Sequence, residues 1–145
     1  MQSKVARAVC LLAVIALAAP VFAQYGYPLK GTFLGDWWIQ KGKETHMSLE
    51  FNYDGDKDLV TGTLNPGPDG AALQKLTVTP PPIDKVSEAM KPWAVHFEAD
   101  AKDDTGKMVH YVFEGKLENI GAFNKHLSGT MTAGGQKGEF KMLMQ

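Results

Sequence analysis

The chain has 145 residues, a formal net charge of −1 and a single cysteine. Its only arginine is Arg7, and its lysines form no basic cluster. Arginine supplies the planar, two-pronged donor that recognises phosphates and guanine edges. Its absence from the rest of the chain, together with the nearly balanced charge, argues against a nucleic acid partner.

Residues 1–23 have the features of a signal peptide. Lys4 and Arg7 form a positive start, an apolar run too short to span a bilayer follows over 11–19, and 21–23 (VFA) is a small-residue cleavage site. We therefore expect cleavage after Ala23 and export to the periplasm of a bacterial cell or to the medium.

The remaining residues, 24–145, are expected to form one domain. Removal of the leader takes away Cys10 and leaves 122 residues without cysteine, with 13 basic side chains against 16 acidic ones. A domain of this size without disulfides must be stabilised by its core, and about 120 residues bury roughly two-thirds of the surface of the unfolded chain. No second apolar run approaches membrane length, so no membrane span is expected in this domain, and nothing in the composition implies a cofactor.

Apolar and polar residues alternate with a period of two, most clearly over 47–53, 95–100 and 109–114, which is typical of half-buried antiparallel strands. Glycine-containing turns separate these runs. The pattern predicts eight strands, near 30–40, 45–53, 58–64, 72–79, 93–100, 107–117, 126–133 and 137–144. Strands joined by short turns form a meander, and eight can close into a barrel without exposed edges. The predicted fold is thus all-β, a single eight-stranded antiparallel up-and-down barrel, with a two-sheet sandwich as the alternative.

A Gly-Thr-hydrophobic tripeptide begins at each of Gly31, Gly62 and Gly129, and a looser copy begins at Gly115. Glycine inside a strand weakens it, so its repetition at similar places predicts bends or close contacts in a curved sheet.

One stretch interrupts the pattern between the predicted strands four and five. The prolines at 80–82 cannot lie in a central strand, and Asp84 can cap a short helix over 85–90 before Pro92 ends it. This predicts one short helix or plug across a barrel end, with a surface excursion as the alternative.

Two segments resemble known barrels. Residues 29–38 (LKGTFLGDWW) resemble the Gly-x-Trp start of calycin-type barrels, the lipocalins and avidins, with Phe33 in place of the usual tryptophan. Residues 59–64 (LVTGTL) are similar to the glycine-threonine strand of avidins. The whole domain also resembles small secreted bacterial proteins with this Gly-Thr-aromatic start. The resemblance implies a calycin-like meander barrel.

The chain carries no recognisable catalytic motif. The four histidines, His46, His96, His110 and His126, would bind zinc only if they converged, and they lie on separate predicted strands without a close sequence pair. We therefore expect solvent-exposed histidines and no metal site, although His96 and His110 lie on the polar face of adjacent strands.

Two groups of acidic residues are candidate sites. Asp54, Asp56 and Asp58 have calcium-loop spacing, but the required glycine and glutamate are missing, which favours a solvated hairpin turn. Glu98 and Glu114 are predicted to face outward on neighbouring strands, and exposed carboxyls of this kind keep ordinary pKa values. An enzyme is therefore the least favoured class of function.

The aromatic residues of the apolar face support a binding function. An eight-stranded barrel is just wide enough to be filled by side chains or to hold one small ligand. We predict an exported, non-catalytic barrel that binds a small apolar or amphipathic molecule at one open end, with ligand contacts from Trp37, Tyr53, Trp93 and Tyr111. The alternative is an accessory domain with a solid core that docks a protein through Trp38 and the proline segment. An apolar cavity would favour the first, and a filled barrel with an exposed apolar patch the second.

Overall fold

A computed structural model describes residues 27–82 and 91–145. The predicted signal peptide and the predicted helix at 85–90 lie outside these residues. A 3-10 turn at Tyr27–Leu29 is followed by nine strands: β1 Gly31–Trp38, β2 Thr45–Asp54, β3 Leu59–Leu64, β4 Ala71–Ala72, β5 Gln74–Thr79, β6 Trp93–Lys102, β7 Met108–Glu118, β8 His126–Ala133 and β9 Gln136–Met144. Within the two described ranges, no helix is long and apolar enough to cross a membrane.

All nine strands belong to one antiparallel sheet with the order β4-β3-β2-β1-β9-β8-β7-β6-β5. The first long strand pairs with the last, as in Phe33 opposite Met144. The two edge strands, β4 and β5, follow each other directly in the chain, so the sheet curls into a nearly closed barrel. The all-β, antiparallel barrel expected from the alternation is confirmed.

The prediction of eight continuous strands was wrong at one place. The segment predicted as strand four, 72–79, is broken at Leu73, whose backbone N–H donates to the carbonyl of Gly62 in β3 at 2.9 Å. The next residue, Gln74, pairs with Glu98 of β6. The chain therefore changes its pairing partner from one edge of the sheet to the other, and a bulge after Gln74 bends it towards β6.

Five phenylalanines fill the middle of the barrel. The rings of Phe97 and Phe113 are stacked with centroids 4.6 Å apart, and Phe51 and Phe140 meet Phe97 edge-on. Phe33 contacts Phe51 edge-on at 5.7 Å. All five side chains are almost completely buried. These stacked and edge-to-face pairs are the arrangements that aromatic rings prefer, so the middle of the barrel is a packed core.

The two ends of the barrel differ. At the end where β1 begins, here called the base, Leu29 of the 3-10 turn is fully buried together with Leu117 and Leu127. The opposite end, here called the mouth, is formed by the loops at 39–44, 65–70, 103–107 and 134–135. A buried leucine thus seals the base, whereas polar loops surround the mouth.

The glycines in the strands lie at close contacts, as expected from the repeated tripeptide. Gly129 of β8 is paired with Gly115 of β7, and a β-carbon on Gly129 would overlap the backbone of Glu114. At Gly62 a β-carbon would lie 2.7 Å from a methyl of Leu73 and 3.0 Å from the carbonyl oxygen of Glu50. The backbones therefore approach too closely for any side chain at Gly129.

Candidate functional site

A cavity of about 280 Å³ opens at the mouth. It lies between the mouth ends of β1, β2 and β3 on one side and the β6–β7 loop, residues 103–107, on the other. Its volume is just below the range of about 300–1,000 Å³ that is usual for small-molecule sites.

Apolar side chains form the inner part of this cavity. The rings of Trp37 and Tyr111 meet edge-on, with centroids 5.9 Å apart and planes at 72°. Tyr111 is in turn stacked on Phe113 of the packed core. Met47 and Leu64, both buried, complete the lining. The cavity therefore ends on the phenylalanine core and does not continue through the barrel.

The β6–β7 loop is held in shape by Asp103. Its Oδ1 accepts hydrogen bonds from the Thr105 backbone N–H at 2.9 Å, the Thr105 hydroxyl at 2.6 Å and the Lys107 backbone N–H at 3.0 Å. The hydroxyl bond and these backbone bonds hold the pKa of the Asp103 carboxyl below its ordinary value. The neighbouring Asp104 also lines the cavity. The loop thus carries two carboxylates at the opening.

Tyr111 has a hydroxyl group without a protein partner. The residue is only 7% exposed, and its hydroxyl makes no hydrogen bond with any residue in the described ranges. Burial raises the pKa of the Tyr111 phenol, with smaller contributions from the negative charges of Asp103 and Asp104. Because Tyr111 lines the open cavity and its hydroxyl makes no bond to the described residues, this group is available to solvent or to a bound molecule.

Two further polar side chains of the cavity lining, Lys102 and His46, each lie beside a carboxylate. The Lys102 ammonium lies 3.8 Å from Asp69, and Nδ1 of His46 lies 3.0 Å from a carboxylate oxygen of Asp36. Both are exposed pairs of the kind that contribute little to stability. Asp69 therefore offsets the charge of Lys102, the one lysine among the described residues of the cavity lining.

The structure separates the four residues predicted to bind a ligand into two pairs. Trp37 and Tyr111 lie together in the cavity. Tyr53 and Trp93 lie at the base, since β2 ends there and β6 begins there. The Tyr53 hydroxyl donates to Asp58 at 2.8 Å, and this bond raises the pKa of the phenol. Trp93 is 7% exposed and belongs to the core.

A second polar cluster lies on the outer wall, centred on Glu98 of β6. The Lys75 ammonium lies 3.1 and 2.9 Å from its two carboxylate oxygens. Nε2 of His110 lies 3.0 Å from the same carboxylate, and Nε2 of His96 lies 3.4 Å from it. The expectation of an exposed Glu98 was therefore wrong, since the residue is only 7% exposed. These partners, with the Lys75 bond first, lower the pKa of the carboxyl.

Lys75 reaches Glu98 because the bulge in β5 turns its backbone. Its φ of +48° is unusual for a residue other than glycine. Asp100 extends the cluster, since it accepts a hydrogen bond from Gln74 at 3.1 Å and contacts Nδ1 of His110 at 2.7 Å. The Asp100 bond raises the pKa of His110, and the bond to His110 lowers that of Asp100. The cluster thus connects the closing strand β5 to β6 and β7.

The histidines do not converge on a metal site. His96 and His110 approach the same glutamate, with the other ring nitrogen of His96 on Glu114, while His46 lies at the mouth. Among the described residues, no group of three or more histidine, cysteine or acidic side chains is arranged to hold a metal ion.

Sequence reasoning missed Lys75, Asp103 and Asp104 as parts of these sites. The loop carboxylates had a usable signal, because Asp103-Asp104-Thr105-Gly106 connects two strands on the same barrel end as Trp37. Lys75 had none, since its position depends on the bulge. Comparison with known protein families, with curated proteins and with solved structures gave no match, so the resemblance to lipocalins and avidins stays a prediction from the sequence.

Proposed function

We propose that the protein is an exported, non-catalytic barrel that binds a small amphipathic molecule in the cavity at the mouth. The observation that supports this most directly is the combination of an aromatic inner wall, Trp37 and Tyr111, with a tyrosine hydroxyl that makes no hydrogen bond to the described residues. Such a mixture of apolar walls and a few placed polar groups is typical of ligand pockets. Export is supported by the leader-like residues 1–23.

The volume and depth of the cavity limit the ligand. Phe113 and its neighbours fill the barrel below the cavity, so a ligand cannot extend towards the base. A long acyl chain would remain mostly in water, and its burial would then contribute little. The proposal therefore takes a compact ligand, with an apolar part against Trp37 and a polar part near Tyr111 and the β6–β7 loop.

A second candidate function is an accessory domain that docks another protein. The packed phenylalanine core supports it, and so does a shallow surface groove of about 400 Å³ beside Trp38 and the exposed Ile39. This groove is also lined by Lys41, Lys137 and Glu139, so it is largely polar at its margin. We place it second because the groove is shallow and charged side chains line it.

The binding proposal is tested by titrating the protein with a panel of small amphipathic molecules while following tryptophan fluorescence. We expect a saturable change for some members, which is lost in Trp37→Ala and kept in Trp38→Ala. The two variants are matched, because the residues are adjacent but Trp38 lines the outer groove.

Native mass spectrometry of protein purified from its own source would then identify a retained molecule. Equal binding by the two variants would contradict the assignment of the cavity. Absence of any saturable response, with folded protein, would favour the accessory-domain function.

A further inference from the structure

The charges around the cavity distinguish between possible ligands. Asp103 and Asp104 both line it, and Asp104 makes no hydrogen bond or ion pair with the described residues. Lys102 and His46 also line the cavity, and each lies beside a carboxylate of its own. The positive charge of Lys107, at the other end of the loop, helps to lower the pKa of Asp103. The residues that line the cavity therefore carry more negative than positive charge, and Asp104 contributes an unpaired carboxylate.

The inner wall complements a positive charge as well. The faces of aromatic rings attract cations within about 6 Å of the ring centre, and tryptophan does so most strongly. Trp37 and Tyr111 both line the cavity, and their rings meet edge-on with planes at 72°. The Tyr111 oxygen can accept a hydrogen bond from an ammonium group. It could also donate to a carboxylate, but the two aspartates would repel that ligand.

We propose that the mouth recognises a small organic cation, an ammonium group attached to a compact apolar body, held between Trp37, Tyr111 and the carboxylates of Asp103 and Asp104. This inference rests on the proposed function, since it names the class of molecule that the cavity takes. The apolar body lies against the inner wall, and the ammonium group lies at the loop, where it donates to Tyr111 and faces Asp104.

Three probes of nearly equal size and different charge test the inference: 2-phenylethylammonium, 2-phenylethanol and phenylacetate. Affinity is measured by calorimetry, and NMR shift changes at Trp37 and Tyr111 show where each probe binds. We expect the ammonium probe to bind about tenfold more tightly than the alcohol, and phenylacetate to bind most weakly. The advantage of the ammonium probe should shrink as salt is added.

Matched variants identify the groups responsible. Asp104→Asn should weaken the binding of the ammonium probe about fivefold and leave the affinity for the alcohol unchanged. Asp56→Asn makes the same change of charge in the exposed β2–β3 turn at the base and should leave all affinities unchanged. Tyr111→Phe keeps the aromatic wall but removes the oxygen, and should also weaken the ammonium probe.

The outcomes separate this inference from the proposed function. If the alcohol or phenylacetate binds at Trp37 and Tyr111 as tightly as the ammonium probe, the cation inference is wrong while the cavity remains a binding site. If none of the three probes binds to the folded protein, the cation inference is overturned, and the proposed function is overturned with it only if the panel of amphipathic molecules also gives no saturable response. An equal effect of Asp104→Asn and Asp56→Asn would show that only the overall charge matters, and would also overturn the inference.

Discussion

The base and the mouth belong to the same strands, yet one is sealed and the other is open. At the base, the turn before β1 places Leu29 among the buried leucines. At the mouth, backbone N–H groups of the β6–β7 loop donate hydrogen bonds to Asp103 of the same loop, and the Ser48 N–H donates to the side chain of Asn65. The alternation of apolar and polar residues along the strands determines the barrel wall, whereas the segments that connect the strands determine which end holds a cavity.

The largest expected difference is between the tryptophans at the two ends. Trp93→Ala removes a buried core side chain and should lower the free energy of unfolding by about 3–5 kcal/mol. Trp37→Ala should cost only about 1–2 kcal/mol, because part of its surface already faces the cavity. Denaturant unfolding followed by circular dichroism measures both, and similar losses would remove the distinction between a sealed base and an open mouth.

The close packing in the middle of the barrel, which separates the two ends, can be tested by adding side chains at its glycines. Gly129→Val should destabilise the fold by about 3 kcal/mol, since its side chain would overlap backbone at Glu114. Gly62→Val should cost about 1 kcal/mol, because the nearest atom belongs to the Leu73 side chain, which can move. Gly55→Val in the exposed turn is the control. Unchanged thermal midpoints for Gly129→Val would show that the middle can expand.

The smallest expected effect is the change of stability with pH. It arises from the charged cluster around Glu98 on the outer wall, whereas the base is apolar and should not respond to pH. The pKa values of Glu98 and Asp100 are lowered, so their contribution is present above the ordinary values of 4.5 and 3.8 and is lost as pH falls through the folded values. The pKa of His110 is raised, so its contribution is present below 6.5 and is lost as pH rises through the folded value.

Stability should therefore be greatest between about pH 4.5 and 6.5 and decline on both sides. Denaturant midpoints measured across pH should show that His110→Gln flattens the alkaline decline. His126→Gln, which changes a histidine outside the cluster, should leave the decline in place. A decline of the same slope in both variants would assign it to another group.

The sequence predicted the parts of the fold that depend on local pattern. Alternation placed Leu49, Phe51, Phe97 and Phe113 inside correctly, since each lies on the apolar face of a long strand. Alternation did not predict the break at Leu73, where the chain stops pairing with β3 and begins to pair with β6. This change depends on the distance between β3 and β6, which no local pattern contains. The exposure of Glu98 was predicted wrongly for the same reason, because its burial depends on Lys75 in the bulge.

The candidate site was predictable in part. Trp37 and Tyr111 meet because β1 ends where β7 begins, and the same rule for an up-and-down barrel would have placed Tyr53 and Trp93 at the other end. The direction of successive strands was therefore sufficient to separate the two pairs. The size of the cavity was not predictable, because it depends on how the core rings pack and on which loops cover the ends.

The pairing of β1 with β9 has a consequence for assembly. Phe33 meets Met144, so one of the contacts that complete the wall joins residues near opposite limits of the described chain. Pairings between such distant segments form slowly, because a long loop must close before any contact is gained. Until β9 is available, β1 and β8 remain open strand edges that can pair with other chains. Protection against aggregation is thus acquired only when the last strand docks.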